Sequence, residues 1–135
     1  MAKENGLGAT LSVDSSDTTA RAIGNDVTNL TFNITRGEQD VTGINKSAHE
    51  RLQLLADFST SITAVFNDAA GASSFNVFKD IGSTSVARTV SFALSGQTLN
   101  NECVFSDAAW SRPMSGEFTV AVSGALQDGT TPTWS

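Results

Sequence analysis

The chain has 135 residues, a length that fits a single domain. Hydrophobic residues make up 39% of it, including eight Phe and two Trp, so it is expected to fold rather than stay disordered. A formal net charge of −6 argues against a dedicated nucleic-acid-binding protein, because such proteins neutralise phosphates with a basic patch. One cysteine and one histidine cannot form a Cys/His zinc site, so we expect no metal and no cofactor.

The pattern of the first half of the chain predicts strands separated by polar loops. The expected elements are an arm over residues 1–9, a strand over 10–13, a loop over 14–19, a strand over 27–35, a turn over 36–40 around Gly37, an extended pair at 41–42, and an irregular stretch over 46–50. Residues 52–57 fit both helical and strand spacing. Strand is preferred there, because residues 58–67 continue as one.

The second half contains one expected helix and three expected strands. Ser73 can cap a helix over 74–81, with Gly82 as its end. The strands are expected over 86–95, 99–110 and 117–126, followed by a polar tail over 127–135. The sequence therefore predicts a mainly β domain over 1–135: a β-sandwich or partly closed barrel of about seven strands with one short flanking α-helix.

Several predicted strands carry almost no charge on their second face. Where a solvated strand face would show Lys, Glu or Arg, these positions are small and neutral, and they include Ser91, Ala93, Thr119 and Ala121. Strands that face water without charges or prolines invite pairing with another chain. We therefore expect these faces to be covered by copies of the same chain, which is typical of an assembly subunit.

Residues that could support catalysis are scarce. His49 is the one histidine, and it stands in a polar stretch with no nucleophile motif, so a surface or interface role is expected and enzymatic activity is not. Cys103 is expected to be a small core residue, since free cysteine is among the most buried residue types. Residues 1–8 lack the apolar region of a secretory signal, so we expect synthesis in the cytoplasm.

Four short motifs follow one another between residues 40 and 68. They are Asp40-Val41-Thr42, Ala48-His49-Glu50-Arg51-Leu52, Leu55-Ala56-Asp57-Phe58-Ser59 and Val65-Phe66-Asn67-Asp68. A predicted helix and further strands come next, the last ending in Ser123-Gly124. This ordered set, over about residues 27–126, resembles the tail tube proteins of long-tailed bacteriophages. The family often has Gly at the position of Ala56.

The resemblance implies a particular assembly and a location. Six copies would form a ring that pools their strands into one continuous barrel, and the rings would stack into the hollow tail tube that conducts DNA during ejection. The partners implied are the chain itself, other tail proteins such as the tape measure, tail tip and terminator, and genomic DNA in transit without specific binding. No membrane partner is implied. The expected location is the virion tail, after synthesis in the host bacterial cytoplasm.

The tube interpretation assigns roles to charged residues. An acidic bore would repel DNA and let it slide, and the candidates to line it are Glu102, Asp107 and Glu117, which are expected on strands. Mixed charge suits a contact between rings or subunits, where complementarity fixes the register. The candidates for that contact are Arg36, Glu38, Asp40, Lys46, His49, Glu50 and Arg51.

Two other interpretations remain open. One is a different virion component, such as a head-decoration or tail-completion protein, which would share the assembly logic. The other is a carbohydrate-binding β-sandwich that stacks sugar rings on Trp110 or Trp134. Core or interface packing is the commoner role for such tryptophans.

Overall fold

The computed structural model describes residues 8–135, so most of the arm expected over residues 1–9 lies outside the described part. The elements in chain order are β1 (Thr10–Asp14), β2 (Ala20–Ala22), β3 (Val27–Asp40), β4 (Arg51–Val65), α1 (Ser74–Phe78), β5 (Arg88–Leu94), β6 (Gln97–Ser111) and β7 (Thr119–Leu126). The expectation of a mainly β domain with about seven strands and one short helix is confirmed. Among the described residues, no helix has the length and apolar character that crossing a membrane requires.

All seven strands belong to one antiparallel sheet with the order β2-β1-β5-β6-β7-β4-β3. The sheet is not closed, and β2 and β3 form its two edges. It nevertheless curls strongly. The ring of Phe32 on β3 lies 5.4 Å from the ring of Phe92 on β5, although these strands are four positions apart in the sheet. One face of the curled sheet encloses the core, and we call the opposite face the outer face.

The core lies where the inward residues of the central strands meet. Its fully buried members include Phe58 and Ile62 on β4, Val90 on β5, and Val120 and Val122 on β7. Each strand alternates these residues with outward ones, which is the period-two pattern of a half-buried sheet. Burying each such side chain stabilises the fold by about 1.5–3 kcal/mol.

Gly124 on β7 allows a close approach inside this core. The position faces inward opposite Phe105, and a Cβ atom added there would lie 2.9 Å from the Cε1 atom of the Phe105 ring. Such a contact is too short for a real side chain, so the ring of Phe105 packs directly on the backbone of β7. Phe105 in turn contacts Phe78 of α1, with ring centroids 5.9 Å apart.

A buried arginine ties the helix to the sheet. Arg88 is 1% exposed, and its Nη2 atom lies 2.9 Å from Oδ1 of Asp80. Its Nη1 atom donates to the backbone carbonyl oxygens of Asp14 and Val77. Burial opposes ionisation of the Asp80 carboxyl, but hydrogen bonds from Ser16 and Arg88 and the positive charge of Arg88 outweigh it and lower the Asp80 pKa.

The predicted turn over 36–40 is wrong. β3 continues to Asp40, and Gly37 lies inside the strand, where the register shifts between the Arg36↔Ala56 and Glu38↔Gln53 pairs. Across this shift β4 contains one more residue than β3, so the irregularity is a β-bulge within a paired ribbon. The chain reverses over residues 41–50 instead, and the irregular conformation expected for residues 46–50 is confirmed.

Two further details differ from the sequence-based expectation. Ser73 caps α1 as expected, its Oγ atom accepting from the backbone N of Asn76 at 3.2 Å, but the helix ends at Phe78. The next residues form turns in which the N–H groups of Ser83 and Thr84 both donate to the Asp80 carbonyl. Strand β2 was not expected, because its three residues show no apolar alternation. The other predicted strand bounds agree within two residues, apart from the extension of β3.

The tail is held by the chain itself. Leu99 and Trp134 form an isolated antiparallel bridge, and Thr98 and Ser135 exchange backbone hydrogen bonds of 2.9 and 2.8 Å. The ring of Trp134 also contacts Phe92 at 6.1 Å. The tail therefore pairs with β6 just beyond the point where β7 ends.

Candidate assembly surfaces

The β3–β4 hairpin projects beyond the rest of the sheet, and we call residues 36–55 the hairpin arm. In this part of the two strands nearly every residue is exposed, whereas the following half of β4 carries core residues such as Phe58. The bulge is fastened by Arg36, whose Nε atom donates to the carbonyl of Leu54 at 3.0 Å and whose Nη1 atom donates to Oε1 of Gln53 at 3.2 Å. The arm is thus an ordered ribbon without a core beneath it.

Asp40 organises the loop at the tip of the arm. Its carboxylate accepts hydrogen bonds from the backbone N of Thr42 at 3.0 Å, from the Thr42 hydroxyl, and from Nδ1 of His49 at 3.0 Å. The hydrogen bonds from the hydroxyl and backbone N–H of Thr42, followed by that from His49, lower the Asp40 pKa. Lys46 pairs with Glu50 at 3.4 Å in the same loop.

All seven residues predicted to form the contact between rings or subunits lie on the hairpin arm. The structure brings Asp40 together with His49 and Lys46 together with Glu50. Arg36 bonds within the arm, whereas the side chains of Glu38 and Arg51 form no hydrogen bond or ion pair with any described residue. The arm therefore presents both signs of charge, mostly already paired within it.

The exposed apolar residues of the arm and its base were missed by the sequence reasoning, which had singled out only the charges. They are Ile34, Val41, Ile44, Leu52, Leu54 and Leu55. A signal was present in the sequence, because residues 52–55 contain three leucines on a segment that was expected to be a strand. Exposed apolar residues grouped in this way mark interaction sites rather than ordinary surface.

The outer face of the sheet is small, polar and free of cations. Strands β5, β6 and β7 together with residues 57–65 of β4 contain one lysine or arginine, Arg88, and its side chain is buried on the inner side. Aligned outward positions run across the strands, for example Ser61, Ser123 and Asp107 in successive cross-strand pairs. The face thus combines hydroxyls and methyl groups with a few carboxylates.

The predicted acidic residues do not all lie on strands. Glu102 lies on β6 and accepts from the Thr89 hydroxyl, and Asp107 is exposed on the outer face opposite Ser123. Glu117 was expected on a strand, but β7 begins at Thr119, so Glu117 lies in the preceding loop and accepts from Ser115 at 2.9 Å. Asp57, which had not been singled out, is exposed with the outward residues of β4.

The predicted covered positions share the outer face with these carboxylates. Ala121 is exposed opposite Ala109, and Thr119 is half-buried. Ser91 and Ala93 on β5 are half-buried within the chain itself, because β5 lies between β1 and β6. The neutral face and the acidic candidates are therefore parts of one surface.

An aromatic cluster lies at the end of the sheet opposite the arm. It consists of Phe66, Phe75, Trp110 and Phe118, which we call the aromatic end. The ring centroids of Phe66 and Phe118 are 5.3 Å apart, and those of Trp110 and Phe118 are 5.7 Å apart. Trp110 therefore packs among other rings instead of standing alone as a platform for a sugar.

Comparison with known proteins identifies the fold. A chain from the virion of a native gene transfer agent particle superimposes with a TM-score of 0.74 at 14% identity, over 98% of this chain and 99% of that one. The chain shares its fold with parts of a virion, a tail and a baseplate. A chain from the tail of an empty gene transfer agent particle, refined with C6 symmetry, gives a TM-score of 0.72 at 15% identity over 98% of both chains.

A third structure has the same fold in a different particle. A chain of the 6-fold symmetrised baseplate of the anti-feeding prophage superimposes with a TM-score of 0.70 at 9% identity, over 100% of this chain and 97% of that one. No protein-family model and no curated protein sequence matches the chain. The similarity therefore lies in the fold, and it is consistent with the resemblance to phage tail tube proteins.

Proposed function

We propose that the chain is a structural tail protein that assembles into hexameric rings, and that these rings stack into a hollow tube that conducts DNA during ejection. The observation that carries the proposal is the full-length similarity of fold to a chain from a tail refined with C6 symmetry. On this proposal the chain acts by assembly and not as an enzyme, and its place is the virion tail.

The hairpin arm supports the proposal because nothing within a single subunit packs against it. A two-stranded ribbon without a hydrophobic face to pack on is marginally stable in water. The arm exposes leucines such as Leu52 and Leu55 as well as ions of both signs. We propose that it contacts another subunit, with Arg36, Glu38, Asp40, Lys46, His49, Glu50 and Arg51 fixing the register of that contact.

The composition of the outer face supports the proposal that it lines the bore of the tube. Covering Asp107 or Asp57 with a neighbouring subunit would desolvate a carboxylate, which is costly unless a cation pairs with it. Strands β5, β6 and β7 and residues 57–65 of β4 offer no exposed cation to pair with them. We therefore propose that the centre of the outer face, with Thr119 and Ala121, lines the water-filled bore instead of being covered as expected from the sequence. Only its β5 side, with Ser91 and Ala93, is then covered by a neighbour.

The proposed bore suits passing DNA because it gives phosphates nothing to bind. Duplex DNA carries one negative charge per about 1.7 Å of axis, and neutral hydroxyls with scattered carboxylates neither trap nor neutralise it. Genomic DNA in transit is thus a proposed partner without specific contacts. The chain itself and the tape-measure, tip and terminator proteins of the tail complete the proposed set.

Electron microscopy of the concentrated protein tests the proposal. We expect sixfold rings or hollow tubes in negative stain, either spontaneously or on a tail-tip template. If both conditions give only small discrete particles, the proposed tube is wrong.

The bore assignment has its own test. Tubes of the unchanged chain should leave duplex DNA in solution, whereas tubes carrying Asp57→Lys and Asp107→Lys should retain it, the more so at low salt. The matched control is Asp17→Lys with Asp128→Lys, which makes the same change in net charge at exposed loop positions. Equal retention by the two variants would show that the outer face does not line the bore.

The baseplate similarity favours one alternative. A chain from a baseplate has the same fold, so this chain could form a single terminal or adaptor ring instead of the repeated tube. Copy number per particle separates the two, because a tube needs many rings and an adaptor only one. Quantitative mass spectrometry of intact particles measures it.

A further inference from the structure

The exposed large apolar residues of the described chain gather at two opposite ends. Twelve such residues are exposed, and ten of them belong either to the hairpin arm with its base or to the neighbourhood of the aromatic end. At the arm they are Ile34, Val41, Ile44, Leu52, Leu54 and Leu55; at the other end they are Val65, Phe66, Met114 and Phe118. The pairing registers separate these two groups along the length of the sheet, because Arg51 pairs with Asp40 at one extreme and Val65 pairs with Thr119 at the other.

The aromatic end is already ordered before anything binds it. Its four rings contact one another at centroid distances of 5.3 to 6.3 Å, and Lys79 lies over the ring of Phe75 at 5.8 Å. The backbone N of Phe66 also donates to the carbonyl of Phe118 at 2.9 Å. A surface fixed in this way loses little conformational entropy on association, so it suits an aliphatic partner such as the exposed leucines of the arm.

The unpaired ions at the two ends are complementary. On the arm, the side chains of Glu38 and Arg51 form no hydrogen bond or ion pair with any described residue. Beside the aromatic end, the side chains of Asp68 and Arg112 likewise form none with any described residue. Each end therefore offers at least one cation and one anion without an ion pair at the rim of its apolar surface, which allows two ion pairs across one contact.

We propose that the aromatic end is the docking site for the hairpin arm of a second copy of this chain. The inference rests on the proposed function and specifies which surfaces meet between rings. Because the two surfaces lie at opposite ends of one subunit, the contact is head-to-tail, and its repetition generates an open stack instead of a closed pair. Leu55 inserts towards the rings of Trp110 and Phe118, while Arg112 and Asp68 meet charges of the arm.

Paired cysteines test this contact directly. Gln39→Cys places a thiol on the arm opposite Leu52, and Met114→Cys places one on the loop beside the aromatic end. Both positions are exposed, and Leu55 itself is left unchanged. The native Cys103 is buried, so the unchanged chain serves as the unreactive background. Treatment of the assembled double variant with a short bismaleimide should give a ladder of covalent multimers on a denaturing gel.

The controls separate this contact from chance encounters. Each single variant should stay at the size of one chain, and a mixture of the two should give only a dimer that contains one copy of each. A second double variant, Gln39→Cys with Val104→Cys, carries its other thiol on the exposed side of β6, away from both ends, and should give no ladder. Dimers from Gln39→Cys alone would mean that arms meet arms, which overturns the inference.

The outcomes also distinguish the inference from the function on which it rests. Tubes in the micrographs without a ladder from the double variant would leave the proposed function standing and overturn the docking site. Absence of tubes and of ladders, from protein that remains folded by circular dichroism, would overturn both. A ladder that requires both thiols supports the docking of arm on aromatic end.

Discussion

The two halves of the β3–β4 ribbon consist of the same two strands but differ in what they bury. In one half, Phe58 and Ile62 are almost completely buried, and Phe58 packs 5.6 Å from the ring of Phe32. In the other half, Leu52 and Leu55 on β4 are exposed, although the two strands pair again beyond the bulge. Strand pairing alone therefore does not decide where apolar side chains are buried.

The difference shows two separate uses of apolar residues in one continuous element. Residues of the core half stabilise the single chain by leaving water when it folds. Residues of the arm cannot do so, because the sheet provides nothing opposite them. They are available to leave water only on association, so substitutions in the two halves are expected to affect different measurements.

The largest expected effect is on the core half. Phe58→Ala should lower the free energy of unfolding by about 3–5 kcal/mol, because it removes a ring from a packed interior and leaves a cavity. Leu55→Ala, three residues earlier on the same strand, should change it by no more than about 0.5 kcal/mol, since Leu55 is 91% exposed. Urea denaturation of the unassembled chain measures both, and equal losses would remove the distinction between the halves.

Ion pairs provide the second comparison. Asp80→Asn should cost about 3–5 kcal/mol, because Arg88 is buried and would lose its charged partner. Glu50→Gln on the arm removes an exposed pair with Lys46 and should leave unfolding of the lone chain almost unchanged. Denaturation curves of the two variants decide this, and a large loss from Glu50→Gln would mean that the arm contributes to the stability of the subunit.

The buried pair also predicts a pH dependence. The pKa of Asp80 is lowered in the folded chain, so the carboxylate stabilises the fold fully above its unfolded pKa, near 3.8. That contribution is lost as the pH falls through the lowered folded value. Thermal unfolding measured from pH 6 downwards should therefore show a stability loss in this acidic window, and the slope should be smaller in Asp80→Asn. An identical slope in both chains would exclude Asp80 as its source.

Two glycines offer a smaller contrast. Gly124→Ala should cost about 1–3 kcal/mol, because the new Cβ would lie 2.9 Å from the packed ring of Phe105. Gly37→Ala, in the arm, would place its Cβ 3.3 Å from the Cδ1 atom of Leu54, an exposed side chain that can turn away. Chemical denaturation should therefore detect the first substitution and not the second. If Gly124→Ala left the free energy of unfolding unchanged, the core would be able to rearrange around the added Cβ.

The sequence predicted the core half of the ribbon well and the arm poorly, for a physical reason. The alternation of Leu30 and Phe32 with polar residues reports a face that packs against the core. That burial ends at Ile34, and beyond it both faces of the ribbon meet water. The glycine at position 37 then favoured a turn, although the structure keeps it in the strand opposite a bulge. Local patterns do not record how far a ribbon extends past its sheet.

The assembly surfaces were predicted in part. The mixed charges of residues 36–51 pointed to the arm as a contact region, and the neutral strand faces pointed to a sheet without solvated charges. The aromatic end was not predicted, because its rings come from three distant segments around Phe66, Phe75 and the Trp110–Phe118 pair. Only the fold brings these segments together, so no spacing along the chain could have revealed them.

The smallest expected effect concerns the reaction rates of two thiols, one in the core and one on the arm. Cys103 is fully buried, and burial, together with the negative charges of Glu102 and Asp128, raises its pKa to about 12. At pH 8 the native chain should therefore react with an aromatic disulfide reagent only through opening of the core, whereas Leu55→Cys should react at once. The ratio of the two rates reports the free energy of that opening. This free energy should be lower in the Phe58→Ala chain and unchanged in the Gly37→Ala chain. If Cys103 were labelled as fast as a thiol at position 55, the core around it would be as open to solvent as the arm.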